Sequence, residues 1–381
     1  MKAGGGSTSS RSFATFVRTE YPFFMGLATA VTFLALGNQI LEDVAHPLVL
    51  GAVFVVLLAA VLWSAVSVVR HADCLGIKCG EPYGTLILTL SAISIEVVMI
   101  SAAMLHGANN PTLARDMMFG VVMIALNGLV GFSLLLGGLR HREQNYNLQG
   151  TSAYLNTIMA LAVLGLVLPN FTTSLSGPRF SFVQEMFLVV TSLSLYLIFL
   201  FIQTGRHRQY FKEAIGAPAA TAEGDHSPFH LRSIGFHATM LFLYLIVVVV
   251  LAEKFAIPLD NCIERLGMPQ AFGGAIVAGL VLAPEALSAV QAARGNQLQR
   301  SVNILHGSVL ASIGLTIPAV LIIGMTTNRQ VVLGIEGGNL PLLVLTLGAS
   351  IVTFGSGKTN VLQGCVHLLL FAVFLLLIFC P

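Results

Sequence analysis

The chain has 381 residues, of which 56% are hydrophobic and 9% charged, with a formal net charge of +2. So much apolar surface cannot be hidden in a water-soluble core, which excludes a soluble enzyme or a nucleic-acid-binding domain and makes lipid the solvent. Continuous apolar runs of about 20 residues, the length a ~30 Å hydrocarbon layer demands of a helix, exclude a β-barrel as well.

Residues 1–20, with Gly4 to Gly6 and Ser7 to Ser10, read as a flexible polar tail. The apolar run that follows is a full span long and lacks a small-residue cleavage site, so residues 21–45 are expected to hold a retained extra helix (span 21–40) rather than a signal peptide. Ten further spans are expected at 46–69, 84–106, 117–138, 153–169, 182–203, 234–252, 271–293, 302–326, 339–355 and 361–380. A hydrophilic stretch at 205–233 divides them into one set of five over 46–204 and another over 234–381. Five is odd, so the two sets enter the membrane facing opposite ways. The fold class is therefore an all-α polytopic membrane protein of about 11 transmembrane helices, an extra N-terminal helix plus two inverted five-helix repeats. With the N-terminus in the cytoplasm, 14 of the 19 Lys and Arg residues fall on the inner side. That bias favours a cytoplasmic 205–233 loop and an external C-terminus.

Within the first repeat the informative residue is Glu96, in the middle of the 84–106 span and 12 residues after Gly84. Glu285 has the same setting in the 271–293 span, 12 residues after Gly273. An isolated carboxylate costs several kcal/mol at the bilayer centre, and two in matching places point to one cation and proton site at the repeat interface. Each glutamate is followed by a polar break, His106 to Asn110 or Arg294 to Asn296, and then by a helix carrying small and polar residues. Those helices contribute candidate supporting ligands, Asn127 in the first repeat and Ser308 and Ser312 in the second, with Ser94 beside Glu96 as a further hydroxyl. Pro284 removes a backbone donor next to Glu285 and is expected to free the carbonyl of Leu280. His306, next to Gly307, is a candidate proton relay. Asp116, Glu185 and Glu253 lie near span ends and read as gate or surface groups.

Five cysteines, with only Cys74 and Cys79 close together and four residues between them, make no zinc or disulfide pattern. The run Gly355 to Thr359 resembles the end of a phosphate-binding loop, but Val352 stands where that loop needs glycine, and a hydrophobic span precedes it. No nucleotide site and no cofactor are expected, so the driving force would be an ion gradient.

The segments GEPYG (Gly80 to Gly84), SAISIE (Ser91 to Glu96), GGLRHRE (Gly137 to Glu143), LAPE (Leu282 to Glu285) and HGS (His306 to Ser308) resemble the bacterial ChaA-type calcium/sodium:proton antiporters of the cation/calcium exchanger superfamily. The resemblance covers about residues 20–381. It implies a ten-helix inverted-repeat core with an extra N-terminal helix, Glu96 and Glu285 as cation ligands, and exchange of cytoplasmic cations for entering protons in a bacterial inner membrane. Many superfamily members carry Gly-Asn three to four residues before each acid. Here Ala92 and Ile93, and Val281 and Leu282, stand at those positions. Two oxygen ligands are thereby missing, so calcium, which takes six to eight oxygens, is expected to be held loosely beside sodium, with potassium as a further candidate. The alternatives are an uncoupled cation channel using the same acids and, with less support, an intramembrane hydrolase, for which no clustered aspartates or zinc-binding His-Glu pair are present. Neither oligomeric state nor exchange stoichiometry is readable from the sequence.

Overall fold

The computed structural model describes residues 17–42, 47–79, 83–106, 110–212 and 232–380. The tail at 1–16, residues 107–109 of the polar break, and Glu213, Glu223 and Asp225 of the long connection lie outside the described residues.

Eleven apolar helices follow one another: α1 Tyr21–Ala35, α2 Pro47–Cys79, α3 Tyr83–His106, α4 Leu113–His141, α5 Leu148–Phe171, α6 Phe182–Arg206, α7 Ile234–Arg265, α8 Gln270–Arg294, α9 Leu298–Thr327, α10 Asn339–Thr353 and α11 Val361–Phe379. Among the described residues eight helices are long and apolar enough to cross a membrane, and three shorter apolar stretches lie at Tyr21–Ala35, Leu90–Ala102 and Asn339–Thr353. Local chemistry sets several of the starts. The Asn147 side chain accepts from the amides of Gln149 and Gly150 at the head of α5. Gln184 Oε1 accepts from the Ser181 amide before α6, and Gln363 Oε1 from the Asn360 amide before α11.

Two helices outrun the sequence expectation. α2 continues to Cys79 rather than stopping at 69, and α7 to Arg265 rather than 252. The charges just past the expected ends are each paired, Arg70 with Glu20 at 2.6 Å and Lys254 with Glu253 at 3.0 Å. A paired charge does not stop a helix. Cys74 and Cys79 consequently both lie on α2, and no described cysteine is in a disulfide.

The two sets of five interlock. α2 runs along α7, the first helix of each set. α3 packs on α7 and α8 on α2, while the third helices α4 and α9 meet the second helices of the opposite set. α1 lies outside this core against α2 and α7. A two-stranded ladder, β1 Gln144–Asn145 against β2 Lys358–Thr359, ties the end of α4 to the start of α11. Lys358 there serves the ladder and approaches Glu143 at 3.5 Å.

Candidate cation site

Close helix approach builds the site. Gly274 in α8 meets α4 so tightly that an added Cβ would lie 2.8 Å from the Met117 amide nitrogen. That contact brings α8 against α4, with Glu285 further along α8. On the other side α3 faces the middle of α9, where the helix widens into a π segment, Ser312–Thr316. α4 carries the counterpart, Ile124–Leu129. The first π segment begins 28 residues after Glu96 and the second 27 after Glu285. Such bulges turn side chains out of the α register and recur at functional sites.

Ser312 Oγ donates to Glu96 Oε2 at 2.6 Å, and Glu96 is buried. The Ser308 hydroxyl neighbours the Glu285 carboxyl. Glu96, Glu285, Ser308 and Ser312 line one cavity of about 640 Å³. It runs towards the ends of α2 and α6 and the start of α9, where Asp73, Arg208, Lys212 and Arg300 border it. At the opposite end of the bundle Arg329 donates to the carbonyls of Met104 and Leu105 and so joins the last turn of α3 to the end of α9. The residues lining the cavity reach the first of these two ends and none comes from the second.

Three oxygens are left over. Glu96 Oε1 and Glu285 Oε2 are buried without a hydrogen-bond partner among the described residues, and so is the Thr316 hydroxyl, which neighbours the Glu96 carboxyl. An unsatisfied buried oxygen costs about 1–3 kcal/mol, more when charged, so the arrangement is incomplete as a packing device. Carboxylates and hydroxyls are donors for a hard cation or a proton. Among the described residues no group of three or more His, Cys, Asp and Glu could hold a metal, so an ion here needs hydroxyls, carbonyls or water to complete its shell. Ala92, Ile93 and Val281, three of the four residues where superfamily relatives carry Gly-Asn, also line the cavity and form an apolar wall.

Three of the expected groups, Ser94, Asn127 and His306, are engaged elsewhere. Ser94 Oγ donates to the Leu90 carbonyl of its own helix at 2.6 Å, the ordinary resting place of a helical serine. Asn127 Nδ2 donates to Thr346 Oγ1 at 2.8 Å, and its Oδ1 faces His367 Nδ1 at 3.1 Å, so it locks α4 to α10 and α11. α8 stays helical through Pro284, which has no N–H to give the Leu280 carbonyl, and Leu280 is not among the residues lining the cavity. His306 is fully buried, with Nδ1 3.1 Å from the Val302 carbonyl and its ring edge-on to Phe354, and it does not reach the cavity.

Sequence reasoning missed Thr316. Its signal was available, because the 189-residue spacing between Glu96 and Glu285 carries Asn127 onto Thr316. It also missed a second polar cluster around Glu20, which was read as the end of a polar tail but is buried. Glu20 Oε2 takes Arg70 Nη2 at 2.6 Å and Tyr244 Oη at 3.2 Å and lies 3.3 Å from His71 Nε2, while His71 Nδ1 is 3.0 Å from His237 Nδ1. This cluster fastens the head of α1 to α2 and α7. Asp116, in the first turn of α4, pairs with Arg115 at 2.8 Å, and Glu253 pairs with Lys254 at 3.0 Å within α7.

Residues 49–205 and 236–380 match the sodium/calcium exchanger protein family. The chain is 44% identical over 331 residues to the putative ionic transporter y4hA of Sinorhizobium fredii, covering 86% of this chain and 89% of that one. It is 39% identical over 356 residues to the sodium-potassium/proton antiporter ChaA of Escherichia coli, covering 93% and 95%. Among solved structures it resembles the Ca2+/H+ antiporter YfkE, with a TM-score of 0.69 and 20% identity over 95% of this chain and all of that one. The H+/Ca2+ exchanger CAX gives 0.66 and 15% over 95% and 89%. At such identities the likeness is one of fold.

Proposed function

The chain belongs to the sodium/calcium exchanger protein family, and from that premise we propose that it is a multi-pass antiporter exchanging cytoplasmic Na+, K+ and, more weakly, Ca2+ for protons at Glu96 and Glu285. The observation that carries this reading is the meeting of two glutamates from corresponding helices of the two repeats in one cavity, with unsatisfied oxygens beside them. The sodium-potassium/proton relative, the nearly full coverage of both chains and the apolar wall at the Gly-Asn positions support the monovalent preference.

Proton and cation are alternatives for the same oxygens. With protons bound, both carboxylates are neutral and the buried pair carries no charge across the bilayer. With a cation bound, the ion compensates the ionised acids. The bare charged pair is the expensive state, so movement between the two faces is restricted to loaded forms, which is what obliges exchange. The end of the cavity bordered by Asp73 and the α6 terminus is read as cytoplasmic on the positive-inside bias.

Glu96→Gln and Glu285→Gln test the reading in proteoliposomes with an imposed pH gradient. Glutamine keeps the volume and removes the exchangeable charge, so proton-coupled Na+ flux should fall at least a hundredfold in each while the protein still inserts and elutes as a single species. Wild-type flux should rise from neutral to alkaline pH, because fewer protons compete for the pair. Cation flux independent of the pH gradient would establish a channel instead.

A further inference from the structure

The cavity is lined by charges of two kinds at two depths. Glu96 is buried at its inner end, whereas Asp73, Arg208, Lys212 and Arg300 are exposed at its mouth. Among the described residues, three positive groups against one negative is an unexpected border for a cation path. We propose that Arg208, Lys212 and Arg300 form an electrostatic filter that holds divalent cations back from the cavity more strongly than monovalent ones. This rests on the antiport reading above and adds to it a determinant of ion choice distinct from the ligands.

The bases are held in place rather than carried on a loose segment. Arg208 begins a 3-10 turn, Arg208–Phe211, directly after α6, and Lys212 follows it. Phe211 is buried against Tyr154 and Phe199, with ring centroids 5.4 and 5.6 Å away. Asn303 Nδ2 donates to the Phe211 carbonyl at 2.7 Å, and Asn147 Nδ2 to that of Gln209 at 3.4 Å. The turn is thus pinned to α5 and α9, with its two bases directed at the mouth. Arg300 stands in the first turn of α9, which has no acidic residue. A positive charge there opposes the helix dipole and gains nothing for stability. Among the described residues none of the three bases makes a salt bridge, whereas Asp73 has an interaction partner.

The physics of discrimination is simple. The energy of an ion in a given potential scales with its charge, so a mouth that lowers the local Na+ concentration n-fold lowers that of Ca2+ by about n squared. Screening lengths are about 10 Å at 0.1 M salt and shorten as salt rises, so the effect weakens with salt.

The test uses the full chain in everted vesicles or proteoliposomes, with ionic strength set by N-methylglucamine chloride and KM read separately for Na+ and Ca2+. In Arg208→Gln/Lys212→Gln/Arg300→Gln the Ca2+ KM should fall by about the square of the fall for Na+, for example about fourfold against twofold at low salt. Arg208→Lys/Arg300→Lys should keep the wild-type ratio of the two constants. Should the triple variant fail to insert, Lys212→Gln alone and the wild-type salt series carry the test: rising salt should lower the wild-type Ca2+ KM relative to that for Na+. If wild type exchanges cations for protons but the ratio of the two KM values moves with neither charge nor salt, the filter is refuted. If wild type shows no proton-coupled flux, it is the antiport reading that fails.

Discussion

At the scale of single residues the site depends on which oxygens are engaged. Ser312 holds one oxygen of Glu96, and its hydrogen bond to a carboxylate is of a kind worth about 1.5–3 kcal/mol. Ser312→Ala should therefore raise the KM for Na+ about tenfold without changing the size-exclusion profile, and an unchanged KM would reduce the contact to packing. Glu20 makes a different case. Burial works against its carboxylate, but the His71 hydrogen bond, the Arg70 and His71 charges and the Tyr244 hydroxyl outweigh it and hold the carboxyl below its ordinary value of 4.5. Because the folded-state value is the lower one, the stabilisation is complete above pH 4.5 and is lost as pH falls through the folded value. Glu20→Gln removes the carboxylate that part-buried Arg70 and buried His71 both face and should cost about 1–3 kcal/mol at pH 7. In thermal unfolding of the detergent-solubilised protein, the gap between variant and wild type should narrow on acidification below the ordinary carboxylate range; a constant gap would mean the pair does not titrate with folding. Glu96 and Glu285 were legible as single letters because a mid-span acid has few innocent explanations. Glu20 was not, since only its neighbours from α2 and α7 distinguish it from a tail residue.

At the scale of elements, the second helix of each repeat presents a carboxylate and the third presents a π segment, so the site is made twice from one plan. The plan tolerates substitution unevenly. Gly274 has backbone of α4 within 3 Å of any added Cβ, whereas Gly279, on the same helix, has nothing within 4 Å. Gly274→Val should force α8 from α4, lowering the unfolding temperature and suppressing exchange. Gly279→Ala should be neutral or stabilising by up to about 1 kcal/mol, since alanine is the better helix residue. Comparable thermal shifts in the two variants would show that the α4–α8 contact is not close in the membrane. Hydropathy located every one of these helices, because about 20 apolar residues in a row leave little choice. It misjudged where α2 and α7 end, since a charge at a helix end looks the same whether solvated or paired.

At the scale of the whole molecule, orientation is the open physical quantity. The positive-inside bias puts the end of α2 inside and the end of α11 outside. Cys79 and Cys380 are exposed at those two ends and supply natural probes. In single-cysteine versions of the chain, a membrane-impermeant maleimide added to spheroplasts should modify Cys380 and spare Cys79. The reverse pattern would invert the molecule and make the Asp73 end of the cavity external.

What the amino-acid sequence determined by itself is what lipid dictates locally: the places of the apolar helices, and two mid-span acids too costly to stand without a partner. Each follows from the free energy of a segment in a bilayer and needs no knowledge of its neighbours. The tertiary structure alone decided which polar groups meet. Ser94, Asn127 and Ser312 are equally plausible ligands as letters, but one bonds its own helix, one locks α10 and α11 to α4, and only Ser312 reaches a glutamate. A hydroxyl's or amide's role depends on which partner lies within about 3 Å, and that distance is fixed by helix contacts between residues more than 200 positions apart in the chain.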